Sequence, residues 1–166
     1  MISVDRAGTY FWHVRSRLRA ACFAFRRTSP LSSAPLISIV DDDESVRVAT
    51  TKLVRLHGFI ADAFASAEEF LRSPRVNETS CLITDVKMPG MSGVDLQSHL
   101  IREGKRIPMI FITAIPDEVS RARALEGGAA CFLTKPFDGQ TLINCLDQAL
   151  KGVERVSTGP SDLKDE

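Results

Sequence analysis

From Leu36 onward, short apolar runs alternate with longer amphipathic stretches. The runs Leu36–Val40 (LISIV), Phe59–Phe64, Ser80–Thr84 (SCLIT), Pro108–Thr113 (PMIFIT) and Ala130–Thr134 predict five strands. Between them the apolar positions recur at helical spacing. A first helix carries Val46, Leu53, Val54 and Leu56 and stops at Gly58. The second, Ser66–Leu71, opens on a capping box of Ser66 with Glu69. Val94–Glu103 closes at Gly104, and a fourth helix runs from Asp117 to Glu126 before Gly127 and Gly128. Asp138 caps a last helix that reaches Lys151. Because the first, third and fourth runs are almost wholly apolar, the strands are buried on both faces, which predicts a parallel sheet between two helical layers: a doubly wound α/β domain.

Composition sets the limits of that domain. The chain has 166 residues, 44% hydrophobic and 25% charged, which allows one ordinary domain and a short extension. The predicted parts are a basic N-terminal extension (1–35), the α/β domain (36–152) and a polar tail (153–166). The whole-chain formal charge is zero. Residues 1–35, however, hold six arginines against the single acidic residue Asp5, and PLSSAP, at Pro30–Pro35, reads as a linker. Phe11, Val14, Leu18, Cys22 and Phe25 recur at helical spacing, the pattern of a basic amphipathic helix within residues 10–27 that would touch anionic lipid or a partner. The preferred reading is a disordered leader, or a start assigned too far upstream, because so short an arginine-rich stretch is marginal as an isolated helix. No apolar run approaches the roughly 20 residues needed to span a bilayer. Cys22, Cys81, Cys131 and Cys145 show no CxxC pair, and three lie in apolar surroundings, so they read as reduced thiols of a cytoplasmic protein.

Ligands of open α/β sheets bind beyond the carboxyl ends of the strands, so the residues leaving each strand are the informative ones. The first strand exits into Asp41-Asp42-Asp43-Glu44, the third into Asp85, the fourth into Thr113 and the fifth into Lys135-Pro136-Phe137. Two carboxylates about 4 Å apart repel by about 4 kcal/mol at an effective dielectric of 20, so converging acids need a cation. Mg²⁺ suits a site of few hard oxygens, and Lys135 adds a second positive charge. Two cations beside a carboxylate fit phosphoryl transfer with the carboxylate as nucleophile.

These residues resemble the response-regulator receiver domain of bacterial two-component signalling. The resemblance rests on IVDDDESVR, LITDVKMPGMSGVDL, FITA and GAACFLTKPF, in order and at family-like spacings. It implies the flavodoxin-like receiver fold with strand order 2-1-3-4-5, and Asp85 as phosphoacceptor. Asp42 and Asp85 would bind Mg²⁺ directly, Asp41 through water and Lys87 through its backbone carbonyl. Thr113 would bond a phosphoryl oxygen and Lys135 would pair with it. Thr113 and Phe132 would be the switch residues, repacking the face of the fourth helix, fifth strand and fifth helix. A cis Lys135–Pro136 bond is also implied.

The implied partners are a sensor histidine kinase or histidine phosphotransfer protein on the donor side and a downstream protein on the output side, with homodimerisation left open. No direct nucleic-acid binding is expected, because the residues after the last helix are too few for a helix-turn-helix unit. A truncated relative of a DNA-binding regulator is the alternative reading. A haloacid-dehalogenase-like phosphatase needs an acid two residues after its nucleophile, and position 87 is lysine. His13, His57 and His99 sit on no recognisable four-helix phosphotransfer scaffold.

Overall fold

A computed structural model describes the backbone of residues 2–4, 10–12 and 34–157, and side chains from 34 to 151. The chain divides into two units, Met1–Ser32 and Ser33–Glu166. In the first, β1 (Ile2–Val4) pairs antiparallel with β2 (Tyr10–Trp12). The remainder of the expected leader or amphipathic helix, residues 13–27, lies outside the described residues, as do positions 158–166 of the expected tail.

The second unit alternates strand and helix: β3 (Leu36–Val40), α1 (Glu44–Leu56), β4 (Ile60–Phe64), α2 (Ala67–Arg72), a 3-10 turn at Pro74–Asn77, β5 (Cys81–Asp85), α3 (Gly93–Arg102), β6 (Met109–Thr113), α4 (Glu118–Glu126), β7 (Cys131–Thr134) and α5 (Gly139–Ser157). All neighbouring strands are parallel, in the order β4-β3-β5-β6-β7, which is the expected 2-1-3-4-5. Side chains alternate between faces along each strand, as a period of two requires. Val40, Leu82, Met109 and Phe111 pack with α2, α3 and α4 residues such as Phe70, Leu96 and Ala124. Ile37, Ile39, Ile83, Ile110 and Ile112 pack with Val54 of α1 and Leu142 and Leu146 of α5. Each of these large side chains, fully buried, is worth about 1.5–3 kcal/mol before ordering entropy is subtracted.

Local chemistry sets the boundaries. Asp43 caps α1 by accepting from the N–H groups of Ser45 and Val46. Ser66 accepts from Glu69 N, and the Glu69 carboxylate reaches back to Ala65 N, a capping box displaced by one residue from its usual form. The last helix runs six residues past its expected end, through Gly152 to Ser157. A glycine costs only about 1 kcal/mol in a helix interior, and the residues around this one favour helix. Lys135–Pro136 is cis, as the resemblance implied.

The reading of reduced core thiols fails at two positions. Cys131 of β7 and Cys145 of α5 are joined as a disulfide, with their Cα atoms 6.0 Å apart. Their sequence separation carried no such signal, because the register of a strand against a covering helix is a tertiary property. Cys81 remains a thiol, and burial pushes it up to about 12.

Candidate functional site

The sheet order reverses between β3 and the central strand β5, and in sheets of this kind ligands bind beyond the carboxyl ends of the strands at that point. Asp41 is the first residue after β3 and Asp85 the last of β5; both are buried, at 3% and 7% exposure. Lys135 follows β7 and reaches back across β6. Its Nζ donates to Asp41 Oδ2 at 2.9 Å and to Asp85 Oδ1 at 2.8 Å.

The other oxygen of each acid is held by backbone. Asp41 Oδ1 accepts from Asp43 N at 2.9 Å, and Asp85 Oδ2 accepts from Lys87 N at 2.7 Å. Burial lifts the Asp41 carboxyl above its ordinary value, and the hydrogen bonds from Lys135 and Asp43 offset only part of that rise. Burial pulls the Lys135 ammonium down, but its hydrogen bonds to Asp85 and Asp41 outweigh this and hold it above the ordinary lysine value.

Neighbouring groups fix the loops that carry these side chains. Arg47 of α1 donates from Nη1 to the carbonyl oxygen of Asp41 at 2.7 Å. Thr84 Oγ1 donates to the carbonyl oxygen of Asp85 at 3.0 Å. Glu68 of α2 accepts from Met91 N at 3.0 Å and so braces the loop that follows Asp85. Gly90 in that loop has φ +77, and a Cβ there would meet Glu68 Oε1 at 2.8 Å. Sequence reasoning missed Glu68, Arg47 and Thr84. Glu68 could have been suspected only as an acid at the start of a short helix, since its partner lies 23 residues away.

The remaining expected site residues are placed as follows. Asp42 is exposed, and among the described residues no three acidic, histidine or cysteine side chains form a ready group able to hold a metal. Thr113 is buried at the carboxyl end of β6, with its hydroxyl engaged by the backbone of Ile115 at 3.1 and 3.2 Å. The Lys87 ammonium pairs with Asp117 at 3.7 Å, an exposed contact of small worth. Phe132 is half-buried and stacks on Phe111 with ring centroids 6.1 Å apart.

Residues 37–147 match the model of a family described as the response regulator receiver domain. The chain is 44% identical over 124 residues to Nodulation protein W of Bradyrhizobium diazoefficiens, covering 75% of this chain and 53% of that protein. It is 40% identical over 135 residues to response regulator protein TodT of Pseudomonas putida, covering 80% and 60%. It thus spans between half and two thirds of the length of these curated relatives. Among solved structures, the crystal structure of FixJ-N superposes with a TM-score of 0.64 at 34% identity, over 70% of this chain and 94% of that one. Response regulator StyR gives a TM-score of 0.67 at 41% identity, over 75% and 63%.

Proposed function

This chain belongs to the response regulator receiver domain family, and from that premise we propose that Asp85 accepts a phosphoryl group from a phosphohistidine. The observation that carries the proposal is the bridge from Lys135 Nζ to both Asp41 and Asp85 at the switch point of the sheet. A carboxylate oxygen of Asp85 attacks phosphorus, a P–O bond forms, the P–N bond breaks, and the donor imidazole leaves with the electron pair. Lys135 already lies within hydrogen-bond reach of the nucleophile, so its ammonium pairs with the phosphoryl oxygens without a large movement. The Thr113 hydroxyl exchanges its Ile115 backbone partner for a phosphoryl oxygen.

The donor chemistry fits Mg²⁺. Carboxylates of Asp41, Asp42 and Asp85 and the Lys87 carbonyl are all hard oxygens; Asp42, Asp85 and the Lys87 carbonyl would hold the ion directly and Asp41 would hold it through water. When bound, the ion neutralises charge on the transferring group. Asp42, which is exposed, would add the third acid beside the buried pair.

We assign the donor to a sensor histidine kinase or histidine phosphotransfer protein. The output is a change of the α4, β7 and α5 face, through Thr113 and Phe132, read by a downstream protein. Phosphorylation shifts the populations of two packings, and a differential affinity of a few kcal/mol suffices. The receiver turns over no exogenous substrate in this reading. Among the described residues no helix is long and apolar enough to cross a membrane, and a cytoplasmic site of action follows from the kinase partner.

Intact-mass analysis with a small phosphodonor and Mg²⁺ tests the proposal. Wild type gains one phosphoryl group, which hydroxylamine removes, and Asp85→Asn gains none. Equal phosphorylation of Asp85→Asn, or steady release of phosphate from p-nitrophenyl phosphate, overturns it.

A further inference from the structure

The segment between Cys131 and Cys145 carries Lys135 and joins β7 to α5, so the bond between these cysteines closes a loop around part of the site. We propose that this pair is a reversible oxidation site, a dithiol in the reduced protein that becomes a disulfide clamp between β7 and α5 on oxidation.

Three observations support it. The Cα separation of 6.0 Å lies inside the range that a disulfide bridges without moving backbone. Both side chains face the α1 and α5 layer: Cys145 belongs to its core, with Leu142 and Leu146, and Cys131 packs against it beside Leu133 and Phe137. Their exposures differ, since Cys145 is 8% exposed while Cys131 is half-buried, which makes Cys131 the sulfur nearer to solvent. Cys81 behaves differently: it is fully buried on β5, and its thiol is held well above the usual range.

The oxidant is a low-molecular-weight disulfide of the glutathione class. The Cys131 thiolate attacks one sulfur of that disulfide, forming a mixed disulfide and releasing one thiol. The Cys145 sulfur then attacks Cys131 Sγ and expels the second thiol. Two protein thiols are oxidised and one small disulfide is reduced to two thiols. A reducing thiol reverses the sequence by entering at Cys131.

The structural consequence falls on the strand that carries Phe132 and on the first turns of α5. In the oxidised chain these two elements cannot separate, and the loop with Lys135 between them is shortened to a closed ring. In the reduced chain only packing holds them.

The test uses the full chain and no phosphodonor, so its result is independent of Asp85 chemistry. The protein is equilibrated in mixtures of reduced and oxidised glutathione, labelled with a maleimide under denaturing conditions, weighed intact and peptide-mapped. Oxidising mixtures should remove two labels and yield a Cys131–Cys145 cross-linked peptide, reversibly. Cys131→Ser should abolish that two-label step. In Cys145→Ala, the half-buried Cys131 should instead take up one glutathione. Amide exchange across residues 131–145 should slow by roughly tenfold on oxidation of wild type and not of Cys131→Ser. Full labelling at every ratio, a two-label loss that survives in Cys131→Ser, or identical exchange in both redox forms overturns the proposal.

Discussion

Asp41 and Asp85 are held in the same way: each gives one carboxylate oxygen to the Lys135 ammonium and the other to the backbone N–H two residues further along the chain. The two acids stand at the ends of different strands, yet a local turn sets the orientation of both and one ammonium from a third strand's end bonds both, offsetting one of their two negative charges. This symmetry makes Lys135 the electrostatic link between the two acids.

Removing that cation should therefore be costly. Lys135→Met leaves two buried carboxylates facing each other, and because the lysine side chain is 19% exposed, solvent discounts the penalty to about 2–3 kcal/mol. Adding Asp41→Asn should recover about half of the loss. Urea unfolding with unchanged slope measures both. A double variant no more stable than Lys135→Met alone would contradict the shared role.

Gly93 tests how tightly the backbone around Asp85 is packed. A Cβ at this position would collide with the carbonyl oxygen of Asp85 and press on Thr84, and a backbone atom cannot swing aside. Gly93→Ala should cost about 2–4 kcal/mol and slow phosphorylation. Gly58→Ala, at φ +86 with open space around it, should cost only about 1 kcal/mol and leave phosphorylation unchanged. Equal costs for the two variants would refute the packing argument.

Cys81 predicts a stability change at alkaline pH. Its thiol ionises near 9.0 when unfolded and is pushed up to about 12 in the folded protein. The unfolded chain therefore loses this proton first, and stability falls as pH rises from about 9 toward 12. By about pH 10.5 the contribution reaches about 2 kcal/mol. Chemical denaturation across this window should show a shallower decline for Cys81→Ala than for wild type.

Asp42 separates a ligand role from a structural one. It is exposed and outside the Lys135 bridge, so Asp42→Asn should change stability by less than about 0.5 kcal/mol. Phosphorylation at limiting Mg²⁺ should nevertheless fall by roughly tenfold or more, with partial recovery at high Mg²⁺. Wild-type rates at every Mg²⁺ concentration would remove Asp42 from the ligand set.

The strands were legible because their apolar runs end where the chemistry begins. Leu36–Val40 matches in both bounds, and the other four shift by a single residue. Asp41, Asp85 and Lys135 were legible as strand exits, since topology alone brings successive exits to one edge. Contacts between layers were not legible. Glu68 touches the loop after Asp85 because α2 packs beside it, and Cys131 meets Cys145 because β7 and α5 share a face. Both depend on helix docking, which no local pattern encodes. The outward position of Asp42 was equally hidden, because adjacent residues in an exit loop have no fixed periodicity to separate them.

The bridge assembled by Asp41, Asp85 and Lys135 draws on the ends of three strands that span most of the second unit. No proteolytic fragment ending before Lys135 contains the full set, and a half-translated chain still lacks its cation. The bridge therefore closes only after β7 has been made and has paired with β6, so it is a late event in the synthesis and assembly of this unit.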